Sequence, residues 1–235
     1  LLESLKDEKL STKKRIALAR KHTEDVDADV SHLVFSIIKA GKTPIVIGGG
    51  HNNAYGNIKG SSLALKHPIN VVNFDAHHDF RSEEGRHSGN GFSYAYNEGF
   101  LKNYFIFGLH ENYISQNSLD ILNTTKTIAY NTFEDIEVRK KLKFKSEMQH
   151  ALSHVSKSNF GIEIDCDAVK DMPSSAMTPS GFSTNQARCF VSHIGAHKNG
   201  TYLHICEAAP KKTNKTKVGK FISYLITDFI KAHGY

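Results

Sequence analysis

The amino-acid sequence predicts a three-layer α/β/α fold in which helices cover both faces of a mainly parallel sheet. Apolar runs of strand type alternate along the chain with segments whose apolar residues recur at helical spacing. Three of the strand-type runs, Pro44–Ile47, Val71–Phe74 and Asn159–Ile164, lead within a few residues into side chains that commonly bind metals. With 235 residues the chain is long enough for one sizeable domain, which we predict to span residues 1–235.

The individual elements follow from local patterns. Helical spacing predicts helices over residues 25–40, 51–66, 115–122, 146–156, 183–197 and 218–232. Gly41 is a suitable stop for the first helix, and Ser183 with Gln186 forms a capping box that begins the fifth. Strands are predicted over residues 44–47, 71–74, 103–109, 127–130, 159–164 and 202–205. We expect residues 1–23 to form a helix or a poorly ordered end, and a polar loop to run from 75 to about 91.

Composition argues against several functional classes. A hydrophobic content of 39% with 23% charged residues is ordinary for a soluble globular protein, and no apolar run approaches the roughly 20 residues that cross a bilayer. Three scattered cysteines favour a reducing cytoplasm over a disulfide framework. Basic runs at 139–143 and 211–215 contribute to the net charge of +6, but no aromatic or groove-reading element accompanies them. We interpret them as solvated surface rather than as a nucleic-acid site.

Six side chains near the ends of the strand-type runs form a candidate metal site. The first follows three glycines, the next three are spaced two residues apart, and so are the last two: His51, Asp75, His77, Asp79, Asp165 and Asp167. We expect them to converge, because ligands of parallel sheets bind beyond the carboxyl ends of the strands. Four carboxylates in one pocket repel one another, and two divalent cations balance their charge. Oxygen ligands with imidazoles and no thiolate favour Mn²⁺ over structural zinc.

The same residues carry a resemblance to a known family. Gly48–His51 resembles the Gly-Gly-x-His motif of the arginase, agmatinase and formimidoylglutamase family, the ureohydrolases. Asp75–Asp79 is similar to its Asp-Ala-His-x-Asp motif, and Asp165–Asp167 to its late Asp-x-Asp motif. Glu207–Pro210 resembles a Glu-x-x-Pro whose carboxylate faces the cationic head of the substrate. The resemblance implies an arginase-like fold, two Mn²⁺ ions per chain and hydrolysis of a C–N bond in a guanidino or formimino group.

The resemblance also implies how the ligands are divided between the ions. It places His77 and Asp165 on one ion and the remaining four ligands on the other ion or between the two, with Asp75, Asp79 or both shared. Glu207 is implied to pair with the cationic head group. The family's first strand normally precedes the region seen here, and the chain begins with Leu1 rather than Met. We therefore expect that part of the amino-terminal end is missing.

The loop over residues 86–92 is implied to contact the tail of the substrate. Ser88 and Asn90 are the predicted polar contacts in this loop. A dicarboxylate tail would need positive charge, which Arg81, Arg86 and Lys211 could supply near the mouth of the site. These assignments remain expectations for the structure, because a solvated surface cation is the alternative for each basic residue.

Departures from the family's motifs favour one branch of it. Gly50 stands where arginases and agmatinases usually have Asp, as is usual in formimidoylglutamases. Ser88 stands where they often have His, and His87 lies one position earlier. We predict that His87, or an exposed His78, is the proton shuttle for the leaving amine. The usual Pro-Gly after the Asp-x-Asp motif is replaced by Thr178–Gly181. The predicted product is formamide, released from N-formimino-L-glutamate.

Three alternatives stay open at this point. An arginase or agmatinase reaction would release urea, and a catalytically inactive family member would bind metal without turnover. A single-zinc deacetylase of related architecture would not need all six ligands. We expect a small-molecule substrate, no nucleic-acid or membrane partner, and a cytoplasmic homo-oligomer.

Overall fold

The structure is a computed structural model that describes residues 11–234, and six strands in this part of the chain form one sheet. They are β1 (Ile45–Ile47), β2 (Ile69–Phe74), β3 (Leu101–Leu109), β4 (Ile128–Thr132), β5 (Phe160–Asp165) and β6 (Gly200–Cys206). Their order across the sheet is β1-β6-β5-β2-β3-β4, and every neighbouring pair is parallel. The predicted alternation of strands and helices is therefore confirmed, and the described sheet is parallel throughout.

Seven α-helices connect and cover these strands within the described residues. They are α1 (Thr12–Lys39), α2 (Asn53–Leu65), α3 (Gly91–Asn97), α4 (Gln116–Thr124), α5 (Phe144–Val155), α6 (Thr184–Gly195) and α7 (Lys215–His233). The capping box at Ser183 and Gln186 begins α6 as predicted. A π-helical turn over Glu134–Val138 follows β4. None of the helices between residues 11 and 234 combines the length and apolar character needed to cross a membrane.

Two helices differ from the sequence-based expectation. α1 joins the helix predicted over residues 25–40 to the preceding segment, which is helical from Thr12, one of the two states expected for it; Ser11 caps the helix by accepting the backbone N–H of Lys14 at 3.4 Å. Its first turns are exposed and so carry little apolar periodicity; residues 1–10 of the expected amino-terminal segment lie outside the described residues. α3 lies in residues 91–97, to which the sequence assigns no element after the loop that ends at about residue 91. It has only seven residues and begins at Gly91, so it presents too short a pattern to be recognised.

Helices lie on both faces of the sheet, which confirms the three-layer architecture. On one face α2 and α3 place Ile58 and Phe92 against Val71 and Tyr104 of the sheet, and α1 packs outside α2. On the other face α5, α6 and α7 cover a second apolar layer. That layer includes Val72, Phe74, Ile162, Ile164, Leu203 and Ile205 from the strands and Met148, Phe190, Val191, Phe221 and Leu225 from the helices.

The topology explains how ligands distant in sequence meet. β1, β6, β5 and β2 are consecutive in the sheet and run in the same direction. Their carboxyl ends lead to His51, Glu207, Asp165 and Asp75 respectively. Four of the predicted functional residues are therefore delivered to one edge by the strand order alone.

Candidate metal centre

His51 is placed by a sharp turn after β1. Gly48 and Gly49 have φ values of 82° and 70°, a left-handed conformation that favours glycine. A Cβ on Gly49 would lie 2.6 Å from Nδ2 of Asn53, so the turn also requires a residue without a side chain at this position. The ring of His51 is fully buried and packs edge-on against Phe92, with centroids 5.2 Å apart. The imidazole is thus held in one place before any ligand is considered.

A first group of ligands surrounds Nδ1 of His51. The Oδ2 atoms of Asp75, Asp79 and Asp165 lie 3.2, 2.9 and 3.1 Å from this nitrogen. Asp75 follows β2, Asp165 ends β5, and Asp79 lies in the loop after Asp75 with a φ of 44°. Ligand atoms of these four residues all lie within 4.8 Å of one another, which is compact enough for one ion.

A second group surrounds Nδ1 of His77. Oδ1 of Asp75 lies 3.5 Å from this nitrogen and Oδ2 of Asp167 lies 3.2 Å from it. These three side chains also bring ligand atoms within 4.8 Å of one another. Asp75 presents Oδ2 to the first group and Oδ1 to the second, so its carboxylate joins the two. Tyr113 stacks on the His77 ring with centroids 4.8 Å apart and orients it.

This grouping corrects the division that the resemblance implied. Asp165 lies with His51 and Asp167 lies with His77, whereas the expectation placed them the other way round. The reason is the turn that follows β5. Asp165 is the last residue of the strand, and its Oδ1 accepts the backbone N–H of Asp167 at 2.8 Å, which closes a short 3-10 turn. The turn carries Asp167 toward His77. Within the described residues, Asp75 alone belongs to both groups.

Burial and mutual repulsion shift the pKa values of the ligand carboxylates. Burial, and the charge of Asp75, raise the pKa of Asp79 to about 6. Burial and the charges of Asp75 and Asp167 raise the pKa of Asp165 well above its usual value. Burial also raises the pKa of Asp75, but the hydrogen bonds and charges of the two imidazoles outweigh it and leave this pKa below its usual value. Such a cluster holds its negative charge only with a compensating positive charge.

The donor atoms fit metal ions. Burial lowers the pKa of His77, but Asp167 and Asp75 raise it to about 11, which shows how strongly the two carboxylates favour a positive charge between them. Nδ1 of His51 and Oδ1 of Asp167 are buried without a hydrogen-bond partner among the described residues. Oxygen and imidazole donors of this kind suit Mn²⁺. Cys166 takes no part: its side chain is packed in the apolar core, as the sequence predicted.

The ligands open into a cavity of about 260 Å³. Four of the predicted ligands line it, namely His77, Asp79, Asp165 and Asp167. The predicted substrate and catalytic residues Arg81, His87, Ser88 and Glu207 line it as well. The geometry therefore brings eight residues from separate parts of the sequence around one space that a small molecule could enter.

Glu207 is fixed at the end of β6 in a left-handed conformation with a φ of 59°. Its backbone N–H donates to the carbonyl of Gly49 at 3.1 Å, and its Oε1 accepts the backbone N–H of His51 at 2.7 Å. The hydroxyl of Ser175 donates to Oε2 at 3.3 Å. A Cβ on Gly50 would lie 3.1 Å from Oε1, so the carboxylate occupies space that a larger residue there would need.

Two predicted substrate contacts are wrong. Arg86 is 3% exposed, and its Nε donates to Oδ2 of Asp27 at 2.7 Å. Its other nitrogens donate to Oδ1 of Asn90 at 2.5 Å and to the carbonyl of Asn52 at 3.0 Å. Asn90 is itself fully buried. Both residues hold the loop against α1 instead of facing the cavity, because α1 supplies an acidic partner that the sequence did not place there.

Expectations for two further residues also change. His78 is 6% exposed instead of exposed as predicted, and burial lowers its pKa to about 4. Its Nδ1 accepts the backbone N–H of Phe80 at 3.0 Å, and the residue lines the cavity beside His77 and Asp79. Lys211 is exposed and lies outside the residues that line the cavity, in the turn that precedes α7.

His87 and Arg81 lie at the cavity wall as predicted. The Nδ1 of His87 accepts the backbone N–H of Gly89 at 3.1 Å, and its Nε2 lies 3.3 Å from Oε1 of Glu84. Burial and the charge of Arg81 lower the pKa of His87, so the ring is neutral at pH 7. The side chain of Arg81 is 58% exposed and pairs with Glu84 at 3.2 Å.

Sequence reasoning missed Glu163 and His204, which lie buried behind His51. The signal was present, since each is an ionisable residue inside an otherwise apolar strand. Burial raises the pKa of Glu163, but the charge and hydrogen bonding of His204, together with His51, lower it to about 2. Tyr113 and Ser175 were also missed, and no sequence motif marks them.

A larger cavity of about 610 Å³ lies beside α1 and α2. Four of its charged side chains form two ion pairs, Asp27 with Arg86 and Lys59 with Glu98 at 3.6 Å. None of the described ligand groups lies there. The chemistry therefore belongs to the smaller cavity.

Comparisons with known proteins identify the family of the chain. The Arginase family model matches residues 3–230. The chain is 29% identical over 223 residues to a formimidoylglutamase from Streptococcus gordonii, covering 89% of this chain and 68% of that protein. It is 30% identical over 196 residues to one from Streptococcus pyogenes, covering 78% of this chain and 60% of that protein. The chain thus spans between about three fifths and two thirds of the length of these relatives.

Solved structures share the fold. Formimidoylglutamase from Bacillus subtilis superposes with a TM-score of 0.75 at 19% identity, covering 88% of this chain and 66% of that one. Trypanosoma cruzi formiminoglutamase with Mn²⁺ superposes with a TM-score of 0.78 at 22% identity, covering 88% and 70%. Arginase from Bacillus subtilis gives 0.76 at 19% identity, covering 87% and 75%. The family comprises hydrolases that act on C–N bonds of linear amidines. With the match over residues 3–230, the chain belongs to the arginase family.

Proposed function

We propose that the protein is a binuclear manganese hydrolase that converts N-formimino-L-glutamate and water into glutamate and formamide. The observation that carries the proposal is the pair of ligand groups joined by Asp75 beside a cavity that Glu207 also lines. Four carboxylates and two imidazoles supply ligands for two ions, and the four negative charges balance two divalent cations.

The choice of a formimino substrate rests on the residues around Glu207. An Asp at position 50, as arginases usually have, would bring a second carboxylate against Glu207, whose Oε1 lies 3.1 Å from the Cβ position of Gly50. The loop carries Ser88 at the cavity wall in place of a histidine. The Streptococcus relatives at 29–30% identity bear the name formimidoylglutamase, which supports the same choice.

The chain's own residues then have distinct roles. The carboxylate of Glu207 accepts N–H donors of the formiminium head and orients it over the ligand groups. Arg81 pairs with a carboxylate of the glutamate tail after leaving Glu84. Asp75 and His51 would hold one ion, and Asp75 and His77 would hold the other. When bound, two Mn²⁺ ions activate water as a nucleophile near neutral pH.

Proton transfer completes the reaction. Water adds to the formimino carbon, the bond from this carbon to the glutamate nitrogen breaks, and that nitrogen must gain a proton as it leaves. His87 lines the cavity and is neutral at pH 7, so it can accept a proton from the reacting groups and return it to the amine. A His87→Ala variant is expected to lower kcat and alter its pH profile; an unchanged profile would remove His87 from this role.

The test compares N-formimino-L-glutamate, L-arginine and agmatine at equal concentration with the Mn²⁺-loaded protein. We expect formamide from the first and little urea from the others. Arg81→Ala should raise KM for the formimino substrate about 10- to 100-fold, because a hydrogen bond between charged groups contributes about 1.5–3 kcal/mol. Lys211→Ala is the matched control, since Lys211 lies outside the lining of the cavity.

Other results of the substrate comparison would indicate a different function. A preference for arginine or agmatine, with urea as product, would assign the reaction to the guanidino branch of the family. Metal binding without turnover of any of the three would indicate an inactive family member. Equal effects of Arg81→Ala and Lys211→Ala would place the tail of the substrate away from Arg81. A cytoplasmic location and assembly into homo-oligomers remain part of the proposal.

A further inference from the structure

Glu163 is a buried acid on the face of β5 that points toward α2. It is fully buried and stands in register with His204 of the neighbouring strand β6. Its neighbours Ile162 and Ile164 belong to the apolar core on the opposite face. A buried carboxylate is costly unless several donors satisfy it, so its presence in the middle of a sheet calls for a reason.

Three buried groups surround this carboxylate. The hydroxyl of Tyr202 donates to Oε1 at 2.7 Å, and Nδ1 of His204 lies 2.5 Å from Oε2. Nε2 of His51 is buried without a hydrogen-bond partner among the described residues, and the same Oε2 lies 3.5 Å from it as the nearest carboxylate oxygen. The first two contacts fix the carboxylate from strand β6. The third directs it toward the ring nitrogen of His51 that is turned away from the ligand carboxylates.

The two nitrogens of His51 face different surroundings. Nδ1 faces three carboxylate oxygens from Asp75, Asp79 and Asp165. Among the described residues, Glu163 is the one acidic side chain within 4.0 Å of Nε2. A neutral imidazole carries its single proton on the nitrogen that finds an acceptor outside the metal site, which leaves the other nitrogen free to bind a metal.

We propose that Glu163 is a positioning residue that fixes His51 with its proton on Nε2, so that the lone pair of Nδ1 points to the metal. Tyr202 and His204 hold the carboxylate in place for this purpose. This inference rests on the proposed metal centre but not on the identity of the substrate. Glu163 touches neither the ion nor the substrate, and its effect passes through His51.

The experiment compares Glu163→Gln and Glu163→Asp with the wild type. Mutation of a residue that hydrogen-bonds to a metal-binding histidine typically weakens metal affinity about 10- to 100-fold. We expect Glu163→Gln to weaken Mn²⁺ binding by that factor, measured in competition with a chelator. Glu163→Asp keeps the negative charge on a shorter side chain, so its Mn²⁺ affinity should lie between that of Glu163→Gln and that of the wild type. Asn70→Ala is the matched control: it removes a buried hydrogen bond to the Val155 carbonyl at the other end of β2 and should leave Mn²⁺ affinity unchanged.

A second readout reports the proton directly. In ¹⁵N-histidine-labelled protein loaded with Zn²⁺ as a diamagnetic substitute, long-range ¹H–¹⁵N correlation spectra should show the His51 proton on Nε2. In Glu163→Gln, the spectra should no longer show His51 in this one tautomer. Wild-type affinity and an unchanged His51 signal in Glu163→Gln would overturn the inference, as would an equal loss of affinity in Asn70→Ala. A wild-type protein that binds no metal would instead overturn the metal centre itself.

Discussion

Asp79→Asn should make the metal-free protein more stable and its metal binding weaker. The substitution keeps the size of the side chain, and asparagine tolerates the left-handed backbone that a φ of 44° requires. Asp79 has a folded-state pKa of about 6 against an ordinary value of 3.8. A carboxyl with a raised pKa destabilises the folded state as pH rises from the unfolded pKa to the folded one, and the cost is complete above pH 6.

The size of the effect follows from that difference. Each pKa unit corresponds to about 1.4 kcal/mol, so ionised Asp79 costs the metal-free fold about 3 kcal/mol at pH 7.5. The neutral amide removes this cost, and the free energy of unfolding should rise by up to about that amount. The same change removes a unit negative charge beside the ion, and unit charges about 4 Å apart interact by about 4 kcal/mol near a protein surface. The affinity of the first ligand group should therefore fall on the order of 10³-fold.

Urea unfolding of chelator-treated protein and metal titration of the same samples measure both effects. Asp167→Asn is the matched comparison, because Asp167 belongs to the second ligand group and not to the first. Each variant should retain one ion, whereas Asp75→Asn should retain neither. A metal-free Asp79→Asn protein that is less stable than the wild type, or one that binds two ions at wild-type affinity, would refute the reasoning.

Two further predictions concern pH and packing. Metal affinity should rise between pH 5 and pH 8, because Asp79 loses its proton near pH 6 and binding must displace a proton from His77, whose pKa is about 11. Calorimetry at pH 7.5 in two buffers of different ionisation enthalpy should detect the released proton, and identical heats in both would contradict this. Gly108→Ala should destabilise the fold by about 1–3 kcal/mol, since overpacked cores lose this much. Gly108 has a φ of 90° and its Cβ would lie 2.3 Å from Phe182; thermal unfolding measures the loss, and an unchanged melting temperature would contradict the close contact.

Local signals in the sequence were sufficient for most of the fold. Apolar strand-type runs alternate with helical patterns, and this alternation already requires a parallel sheet covered on both faces. The segments that the sequence left unassigned or undecided were those without a local signal. α3 has seven residues, and the first turns of α1 are exposed and lack an apolar stripe. Their helical state depends on capping and on packing against neighbours.

The sequence by itself also determined the candidate ligands, because Asp75–Asp79 and Asp165–Asp167 place metal-binding side chains at fixed spacing after buried strands. What it could not determine was the partner of each side chain. The distribution of Asp165 and Asp167 between His51 and His77 depends on a turn of three residues.

Only the tertiary structure determined the contacts of Arg86 and of the buried Glu163. Arg86 lies in a loop and is held away from the cavity by Asp27, which is 59 positions away in the sequence on α1. Glu163 meets His51 only because β5 and β1 flank β6 in the sheet. Charge pairing acts through space over a few ångströms, whereas sequence patterns report only neighbours along the chain, so these contacts could be known only once the strands were in order.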